Sequence, residues 1–293
     1  MKIVNYGSLN IDYTFQVDKI VQPGQTIAAS RVTRFPGGKG MNQSLALARA
    51  GMTVYHAGSI GTDGLFLKEL LEEDGVDCRH LRVLEDIGTG SAFIQVDRNG
   101  QNCIVLNGGA NRMNTAEDCE NVLRDFAPGD WILLQNEISG VKGIIDAAWK
   151  KGMRVIFNPS PMTDEVLDYG LEKVSLFLMN EDEGMRITGK EDTDGIVQAM
   201  AEKYPGTEVI LTLGEKGSLW SDGKRVVRQP ALKVCAVDTT GAGDTFTGYV
   251  LACLARGYSV EKSLEVASKA SAITVTRQGA ASAIPVRAEV EPE

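Results

Sequence analysis

A glycine turn and a carboxylate stand side by side in residues 237–246, which read Val-Asp-Thr-Thr-Gly-Ala-Gly-Asp-Thr-Phe. The apolar run 234–237 precedes the turn and an amphipathic segment follows it, so we expect a strand, a glycine turn and the start of a helix. This arrangement presents several backbone N–H groups to one anion. Asp244 would repel a phosphate unless it takes a proton from a hydroxyl that attacks that phosphate. The segment therefore predicts a phosphoryl-transfer site with its own general base; the alternative is a tight turn with Asp244 as the helix N-cap.

A second glycine-rich segment, residues 36–42, reads Pro-Gly-Gly-Lys-Gly-Met-Asn. It is not a Walker A loop, because the spacing differs and Gly40 stands where a serine or threonine should bind magnesium. Its glycines allow the backbone to approach a ligand closely. Lys39 and Asn42 add donors suited to hydroxyl groups or phosphate. The segment predicts a ligand-binding loop, and the alternative is a loop that only begins a helix.

Polar residues also follow or end predicted strands. Asn10 and Asp12 come after the first strand, and Glu137 ends a later one. Open α/β sheets bind ligands at the carboxyl ends of their strands, where an amide and a carboxylate can bind adjacent hydroxyls of a sugar. Taken singly these residues are ambiguous, because Asn-x-Asp is common in turns and Glu137 fits a solvated acid at a helix start.

Two further segments suit the nucleotide side of such a site. Asn180 and Glu183 share one face of a predicted first helical turn, where they can hold the water shell of magnesium. A helix N-cap with a capping-box acid explains this pair equally well. Residues 212–217 place two glycines after a strand, which suits the adenosine or phosphates of a nucleotide but by itself is only a turn.

Strand-like and helix-like segments alternate along the chain, which favours a largely parallel sheet covered by helices. The predicted strands are 3–6, 54–60, 131–134, 155–157, 176–179 and 208–212. The predicted helices are 42–50, 64–73, a segment through 144–149, 245–255 and 260–272. Two segments, about 12–35 and 89–107, alternate polar and apolar residues, and Arg98-Asn99-Gly100 is a hairpin signal. We expect these two segments to form antiparallel strands outside the main sheet, as a small lid.

Composition excludes several classes of protein. The net charge of −9 and the pI near 5.0 argue against nucleic acid or an anionic membrane as a partner. Five cysteines without a Cys-x-x-Cys pair indicate reduced thiols, and two histidines argue against a histidine-based metal site. The N-terminus is too short and polar for a signal peptide, and no apolar run approaches the ~20 residues of a membrane helix. We therefore expect a cytoplasmic protein.

Together these motifs resemble the ribokinase family of carbohydrate kinases, which includes adenosine kinase and fructokinase. Gly-Gly-Lys-Gly-x-Asn at 37–42 is similar to the family's N-terminal signature, and Asp-Thr-Thr-Gly-Ala-Gly-Asp at 238–244 to its C-terminal one. The two lie about 200 residues apart, and the resemblance covers nearly the whole chain. It implies a single kinase domain over 1–293 with a three-layer α/β/α fold and a β-sheet lid. It also implies transfer of the γ-phosphoryl of ATP to a sugar's primary hydroxyl, with ribose favoured.

The resemblance assigns roles to residues one by one. Asp244 matches the catalytic base, and the amides of Gly241, Ala242 and Gly243 match the anion hole. The positions that match sugar-binding residues are Asn10, Asp12, Gly38, Lys39, Gly40, Asn42, Glu137 and Asp244. Those on the nucleotide side are Asn180, Thr212, Gly214, Gly217, Gly243 and Ser268, with Glu183 matching a residue that binds magnesium through water. The positions that match a monovalent-cation loop, usually for potassium, are Asp238, Thr240, Thr274, Arg277 and Gly279.

The sequence departs from the family pattern at three of these places. Ala283 replaces a serine that helps to bind the cation, Thr247 stands where asparagine is frequent, and Ser268 replaces a histidine or asparagine. These departures affect cation affinity and adenine packing rather than the phosphoryl transfer. ATP, Mg²⁺ and K⁺ are the expected cofactors.

Two alternatives to a ribose kinase remain open on the sequence. One is a kinase of the same family that acts on a nucleoside, fructose or a sugar acid. The other is a sugar-binding regulator without activity, against which the intact Asp244, Gly241 and Gly243 argue. Because a small two-sided sheet is poorly stable alone, we also expect a homodimer formed through the lids.

Overall fold

The computed structural model describes residues 1–292, in which two sheets account for all the assigned strands. The strands are β1 Ile3–Tyr6, β2 Asn10–Gln16, β3 Arg31–Gly37, β4 Val54–Gly61, β5 Asp77–Leu84, β6 Gly90–Val96, β7 Asn102–Asn107, β8 Trp131–Gln135, β9 Arg154–Asn158, β10 Leu176–Asn180, β11 Glu208–Thr212, β12 Ser218–Ser221 and β13 Val226–Gln229. The large sheet has nine strands in the order β13-β12-β11-β10-β9-β8-β1-β4-β5. Its strands from β11 to β5 are parallel, and β12 and β13 add an antiparallel edge.

Helices cover both faces of this sheet. They are α1 Lys39–Arg49, α2 Leu65–Glu73, α3 Ala116–Leu123, α4 Val141–Lys150, α5 Glu181–Thr188, α6 Thr193–Lys203, α7 Ala242–Ala255, α8 Val260–Val275 and α9 Arg287–Val290. Side chains of a strand point alternately to opposite faces, so Ile3 packs with α1, α2, α7 and α8, whereas Val4 packs with α3 to α6. The predicted three-layer α/β/α fold is confirmed.

The helices that carry the two glycine motifs touch each other at backbone distance. A Cβ atom added to Gly248 of α7 would lie 2.3 Å from the Cβ atom of Ala46 in α1. Only glycine fits at this crossing, because no heavy atoms approach that closely without a bond. The N-terminal turns of α1 and α7 are thereby held next to each other.

The second sheet has four strands in the order β3-β2-β6-β7 and corresponds to the expected lid. Its two hairpin-type pairs, β2–β3 and β6–β7, are antiparallel as expected. The central pair β2–β6 is parallel, which corrects the expectation of an entirely antiparallel lid. The two strands are not joined by a hairpin: β3, β4 and β5 lie between β2 and β6 in the chain, so no tight turn requires an antiparallel pair.

One predicted strand is wrong. Residues 234–237 form no strand, and Val234 and Val237 are exposed by 45% and 67%. The backbone N–H groups of Val237 and Asp238 donate to the carbonyl of Val275 at the end of α8, at 2.7 and 3.2 Å. This apolar segment is therefore bound to a helix end rather than to the sheet. Among residues 1–292, no helix combines the length and apolar character that crossing a membrane requires.

Candidate active site

The glycine turn at the start of α7 places Asp244 in the first turn of that helix. Gly241 precedes the helix in the left-handed region, with φ +76°, and a Cβ there would meet Ala280 at 3.1 Å. The amide of Ala242 donates to the carbonyl of Thr239 at 3.3 Å. Within residues 1–292 the amides of Gly241 and Gly243 donate to no protein acceptor, so two of the three predicted amides are available to an anion.

Two side-chain amides from α1 hold the carboxylate of Asp244, which is 8% exposed. Asn42 donates through Nδ2 to Oδ2 at 3.0 Å, and Gln43 donates through Nε2 to Oδ1 at 2.8 Å. The two glycine motifs, about 200 residues apart in the chain, therefore meet at one carboxylate. Gln43 was not among the residues predicted from the sequence. The only available signal was its place directly after Asn42 in a motif that begins a helix.

The glycine loop before α1 fits tightly against the end of β1. A Cβ atom on Gly40 would lie 2.3 Å from the backbone nitrogen of Ser8, and Gly38 has φ +94°. Oδ1 of Asn42, on the next turn, is buried and has no hydrogen-bond partner within the described residues. A buried acceptor without a partner beside a carboxylate suits a ligand hydroxyl.

Lys39 lies among acidic side chains. Burial alone would lower the pKa of its ammonium group, but the carboxylates of Asp244, Glu137 and Glu183 raise that pKa above its ordinary value. The ammonium group is therefore positively charged where the two glycine motifs meet. A charge in this position can attract a phosphoryl group or donate to a hydroxyl.

Glu137 connects the glycine loop to the end of β1. Its Oε2 accepts the backbone N–H of Lys39 at 2.9 Å and also the hydroxyl of Ser8. Burial raises the pKa of Glu137 even though Lys39 and Ser8 act in the opposite direction. One carboxylate oxygen thus positions the loop, and no hydrogen bond among residues 1–292 uses the other, Oε1.

Asn10 and Asp12 belong to β2 of the lid sheet, close to its junction with the main sheet. Oδ1 of Asn10 accepts from Nδ2 of Asn111 at 2.8 Å. Burial, followed by the charge of Glu137, raises the pKa of Asp12 to about 7. A Cβ atom on Gly37 would lie 2.1 Å from the Asp12 carboxylate, so a side chain there would displace that carboxylate.

A cleft of about 620 Å³ opens beside the α7 turn. Five of the six predicted nucleotide-side residues line it: Thr212, Gly214, Gly217, Gly243 and Ser268. Its apolar wall includes Leu232 together with Val234 and Ala236, and the last two come from the segment wrongly predicted as a strand. Asn180, the sixth, does not line this cleft.

Asn180 and Glu183 form the helix cap that was the alternative interpretation of their spacing. Oδ1 of Asn180 accepts the Glu183 N–H at 2.8 Å, and Oε2 of Glu183 accepts the Asn180 N–H at 3.0 Å. Glu183 is nonetheless buried, and its charge acts on Lys39. The cap and a place near the phosphoryl-transfer centre are therefore compatible.

Asp238 binds two of the residues matched to a cation loop. Its Oδ1 accepts the N–H of Thr240 at 2.9 Å and its Oδ2 accepts that of Gly279 at 2.9 Å. Burial opposes these bonds, which nevertheless lower the pKa of Asp238. The carbonyl of Thr274 accepts the N–H of Arg277 at 3.0 Å, and the Arg277 side chain pairs with Glu289. Among the described residues no three His, Cys, Asp or Glu side chains are grouped to hold a metal ion.

The chain is similar to known carbohydrate kinases over almost its whole length. A family model described as pfkB family carbohydrate kinase matches residues 1–287. The chain belongs to this family. A ribokinase of Haemophilus influenzae is 36% identical over 296 residues, covering 97% of this chain and 95% of that protein. The structure of an Arabidopsis thaliana ribokinase complexed with ribose and ATP is similar with a TM-score of 0.87 and 31% identity, covering 99% of this chain and 97% of that one. A deoxyribokinase of Salmonella typhi is 31% identical over 97% of this chain and 96% of its own length.

Proposed function

We propose that the protein is an ATP-dependent sugar kinase that phosphorylates the primary hydroxyl of D-ribose to give ribose 5-phosphate. The position of Asp244 carries this proposal. Its carboxylate lies between the free amides of the glycine turn, on one side, and the polar groups of the α1 loop on the other. The ribokinases among the relatives of this chain support ribose as the acceptor.

In the proposed reaction Asp244 accepts the proton of the attacking hydroxyl while the new O–P bond forms and ADP leaves. The amides of Gly241 and Gly243 stand at the positive end of α7 and stabilise negative charge on the transferred group. Lys39 adds a positive charge next to the carboxylate. Magnesium, when bound with ATP, neutralises charge on the phosphates, and Glu183 is the residue that we propose to hold its water shell.

The sugar half of the active site, as we propose it, is formed by residues from the lid, the α1 loop and the end of β8. Asp12 and Asn10 offer acceptors, Lys39 offers a donor, and the unpaired Oδ1 of Asn42 accepts one hydroxyl. Gly38, Gly40 and Glu137 shape the loop around the ring. Asp244 and its neighbouring glycines are intact, which argues against a sugar-binding regulator without activity.

The second candidate acceptor is 2-deoxyribose, because a deoxyribokinase matches this chain almost as well as the ribokinases do. We expect ribose to exceed 2-deoxyribose in kcat/KM, because a site with buried polar groups rejects an analogue that leaves them unpaired, by up to roughly 10⁴-fold. A panel of ribose, 2-deoxyribose, fructose, adenosine and 2-keto-3-deoxygluconate with ATP, read by coupled ADP formation, tests this. A tenfold preference for any sugar other than ribose would leave the kinase assignment standing and exclude ribose.

We propose that potassium activates the enzyme through the loop around Asp238. The hydrogen bonds of Asp238 to Thr240 and Gly279 join the two segments that would supply carbonyl ligands, directly before the glycine turn. Ala283 is fully buried and offers no side-chain oxygen, so we expect weak binding. The test compares turnover in potassium with that in tetramethylammonium at fixed magnesium. Equal rates in the two salts would rule this activation out.

We propose that two copies associate through their lid sheets. By strand register, Phe35 and Leu106 lie on the same face of the lid as Asp12, and they are exposed by 40% and 59%. Ile104 on that face is 51% exposed. A second lid would cover this apolar surface and shield the sugar from water. Sedimentation should therefore give a dimer at micromolar concentration, and Leu106→Lys should give a monomer.

We also propose that residues 1–293 act as a single kinase domain in the cytoplasm. The contact between Asn42 of α1 and Asp244 of α7 supports one domain, because both ends of the chain contribute to one site. The five cysteines are free, which suits a reducing compartment.

A further inference from the structure

Gln43 is the residue in contact with Asp244 to which neither the motifs nor the proposed function gives a role. It is fully buried in the first turns of α1. Its Nε2 donates to Oδ1 of Asp244 at 2.8 Å and to Oδ1 of Asn158 at 3.1 Å. Its Oε1 accepts from Nε2 of Gln135 at 2.7 Å. Both N–H bonds and the carbonyl of this amide are therefore in use.

Backbone carbonyls fix which way each amide in this network points. Nδ2 of Asn158 donates to the carbonyl of Leu178 at 2.8 Å, which turns Oδ1 of Asn158 toward Gln43. At the other end, Nδ2 of Asn5 donates to the carbonyl of Gly40 at 2.7 Å, and Oδ1 of Asn5 accepts from Gln135 at 2.9 Å. Because a carbonyl only accepts hydrogen bonds, both ends require the amide orientation described. The NH₂ group of Gln43 must then face Asp244.

A carboxylate held in this way has little rotational freedom. The terminal torsion of an aspartate is broad and roughly two-fold, so nothing within Asp244 itself fixes the plane of its carboxylate. Donors on separate oxygens, from Asn42 and Gln43, define that plane. Hydrogen bonds to a charged acceptor are among the stronger ones in proteins. The orientation of the base thus depends on a network that extends through α1, β1, β8, β9 and β10.

We propose that Gln43 is a positioning residue for the catalytic base, and that Asn158 anchors it. Gln43 holds the Asp244 carboxylate in the plane from which it reaches the sugar hydroxyl, without touching sugar or nucleotide itself. The inference rests on the proposed function, because it assumes that Asp244 takes the proton. It predicts that losing the Gln43 amide slows turnover more than it weakens the binding of either substrate.

The first experiment compares Gln43→Met with the matched control Gln135→Met. Each removes a fully buried amide from the same network without a large change in volume, but only Gln43 contacts Asp244. We expect Gln43→Met to lower kcat by on the order of 10²-fold, with both KM values within about threefold. Gln135→Met should lower kcat less than about fivefold, because the Gln43 N–H bonds and their Asn158 anchor remain. Equal kcat losses in the two variants would overturn the proposal.

The second experiment repeats Gln43→Met in an Asp244→Asn background. If Gln43 acts through the carboxylate, the second substitution should change the residual kcat by less than about twofold, because no base is left to position. A further loss as large as that in the wild-type background would show that Gln43 acts by another route and would contradict the inference.

Asn158→Ala removes the acceptor that anchors the Gln43 amide and leaves Gln43 itself in place. This variant tests the inference if Gln43→Met does not fold. Freeing the Gln43 amide should lower kcat about three- to tenfold, again with KM nearly unchanged. An unchanged kcat would overturn the inference. The proposed function has its own test, which is Asp244→Asn. If Asp244→Asn retained turnover, the proposed function would fail, whatever the result for Gln43→Met.

Discussion

The proposed sugar half of the active site is assembled from buried, mutually hydrogen-bonded polar groups, whereas the proposed nucleotide half is a groove lined by small and apolar residues. Asp244 is 8% exposed and Gln43 fully buried. On the nucleotide side, Leu232 and Val234 are each 45% exposed and belong to a segment without regular structure. The sugar half is therefore preorganised before a ligand binds, whereas the nucleotide half offers mainly an apolar surface for contact.

This difference predicts how each half responds to substitution. In the sugar half, deleting one polar group leaves its buried partners unpaired, so a single change is costly. In the nucleotide half, affinity is distributed over many weak contacts, so a single side chain matters little. Substitutions in the sugar half should therefore have much larger effects than substitutions in the nucleotide half.

Asp244→Asn should lower kcat by on the order of 10²–10⁴ while folding and sugar binding persist, because the amide keeps the shape but takes no proton. Steady-state kinetics and sugar titration measure the two quantities. Turnover within a few-fold of wild type would remove Asp244 from the role of base, and the sugar half would then be a binding site only.

Asp12→Ala should reduce kcat/KM for the sugar by roughly 10²-fold and leave the KM for ATP within about threefold. Asp12 lies on the lid near the sugar half, away from the nucleotide groove. Asp18→Ala, on an exposed lid-sheet ion pair with Arg98, is the matched control and should change neither value. If Asp12→Ala raised the KM for ATP as much as it reduced kcat/KM for the sugar, the two halves would not be independent.

The sugar KM should also depend on pH through Asp12, whose pKa is raised to about 7 by burial and Glu137. If only the carboxylate form binds the sugar well, KM should fall about tenfold between pH 6 and 8, as the competent fraction rises. The raised pKa of Asp12 affects the stability of the fold in the opposite direction, because stability decreases as pH rises. A raised acid pKa favours the protonated native state, so this contribution to the free energy of unfolding is lost as pH rises from about 4 to about 7. Asp12→Asn should abolish both dependences, and a pH-dependent sugar KM in Asp12→Asn would assign the titration to another group.

Ser268→Ala should give the smallest effect, a change of less than about threefold in the KM for ATP. Ser268 lines the nucleotide cleft, and its hydroxyl makes no hydrogen bond within the described residues. ATP titration of the variant checks this. A tenfold loss of ATP affinity would show that the groove recognises adenine through a specific polar contact, and the contrast between the halves would be reduced.

Most of the central sheet could be predicted from the sequence because its strands are buried on both faces. β8 and β10 read as short continuous apolar runs, which is the pattern of parallel strands covered by helices. β5 was missed because this edge strand includes charged residues such as Arg79 and Arg82. α1 and α7 each begin three residues before the predicted start, at Lys39 and Ala242, because the glycine turns run directly into them.

Residues 234–237 show why an apolar run does not determine its own structure. The run has the composition of a strand, but the edge of the sheet is already formed by β13. Val234 and Ala236 line the cleft instead, and this placement depends on tertiary structure alone. The lid's parallel pair β2–β6 could not be predicted for the same reason, since strand order is not encoded within either segment.

The motifs predicted many residues of the candidate site, but they did not predict the hydrogen-bond network that connects those residues. Asp244, Asn42 and Lys39 were found because their residue types carry recognisable chemistry in glycine-rich segments. Gln43 carries no such signal, because a buried glutamine in a helix is equally typical of a structural contact. Only the meeting of α1 and α7 reveals that its amide reaches Asp244.

If Asp244 is the base, as we propose, the amides around it also limit when a proton can leave the enzyme. Amide N–H groups of Asn42 and Gln43 occupy the protein side of the carboxylate, and an N–H group has no lone pair with which to accept a proton. A proton taken from the sugar therefore returns only toward the open cleft, where the newly formed sugar phosphate still lies. Its phosphate, with a second pKa of about 6, can carry the proton away. Each catalytic cycle would then release its proton no earlier than its product. A pH indicator and a product assay, both followed through a single turnover, can compare the times of the two releases.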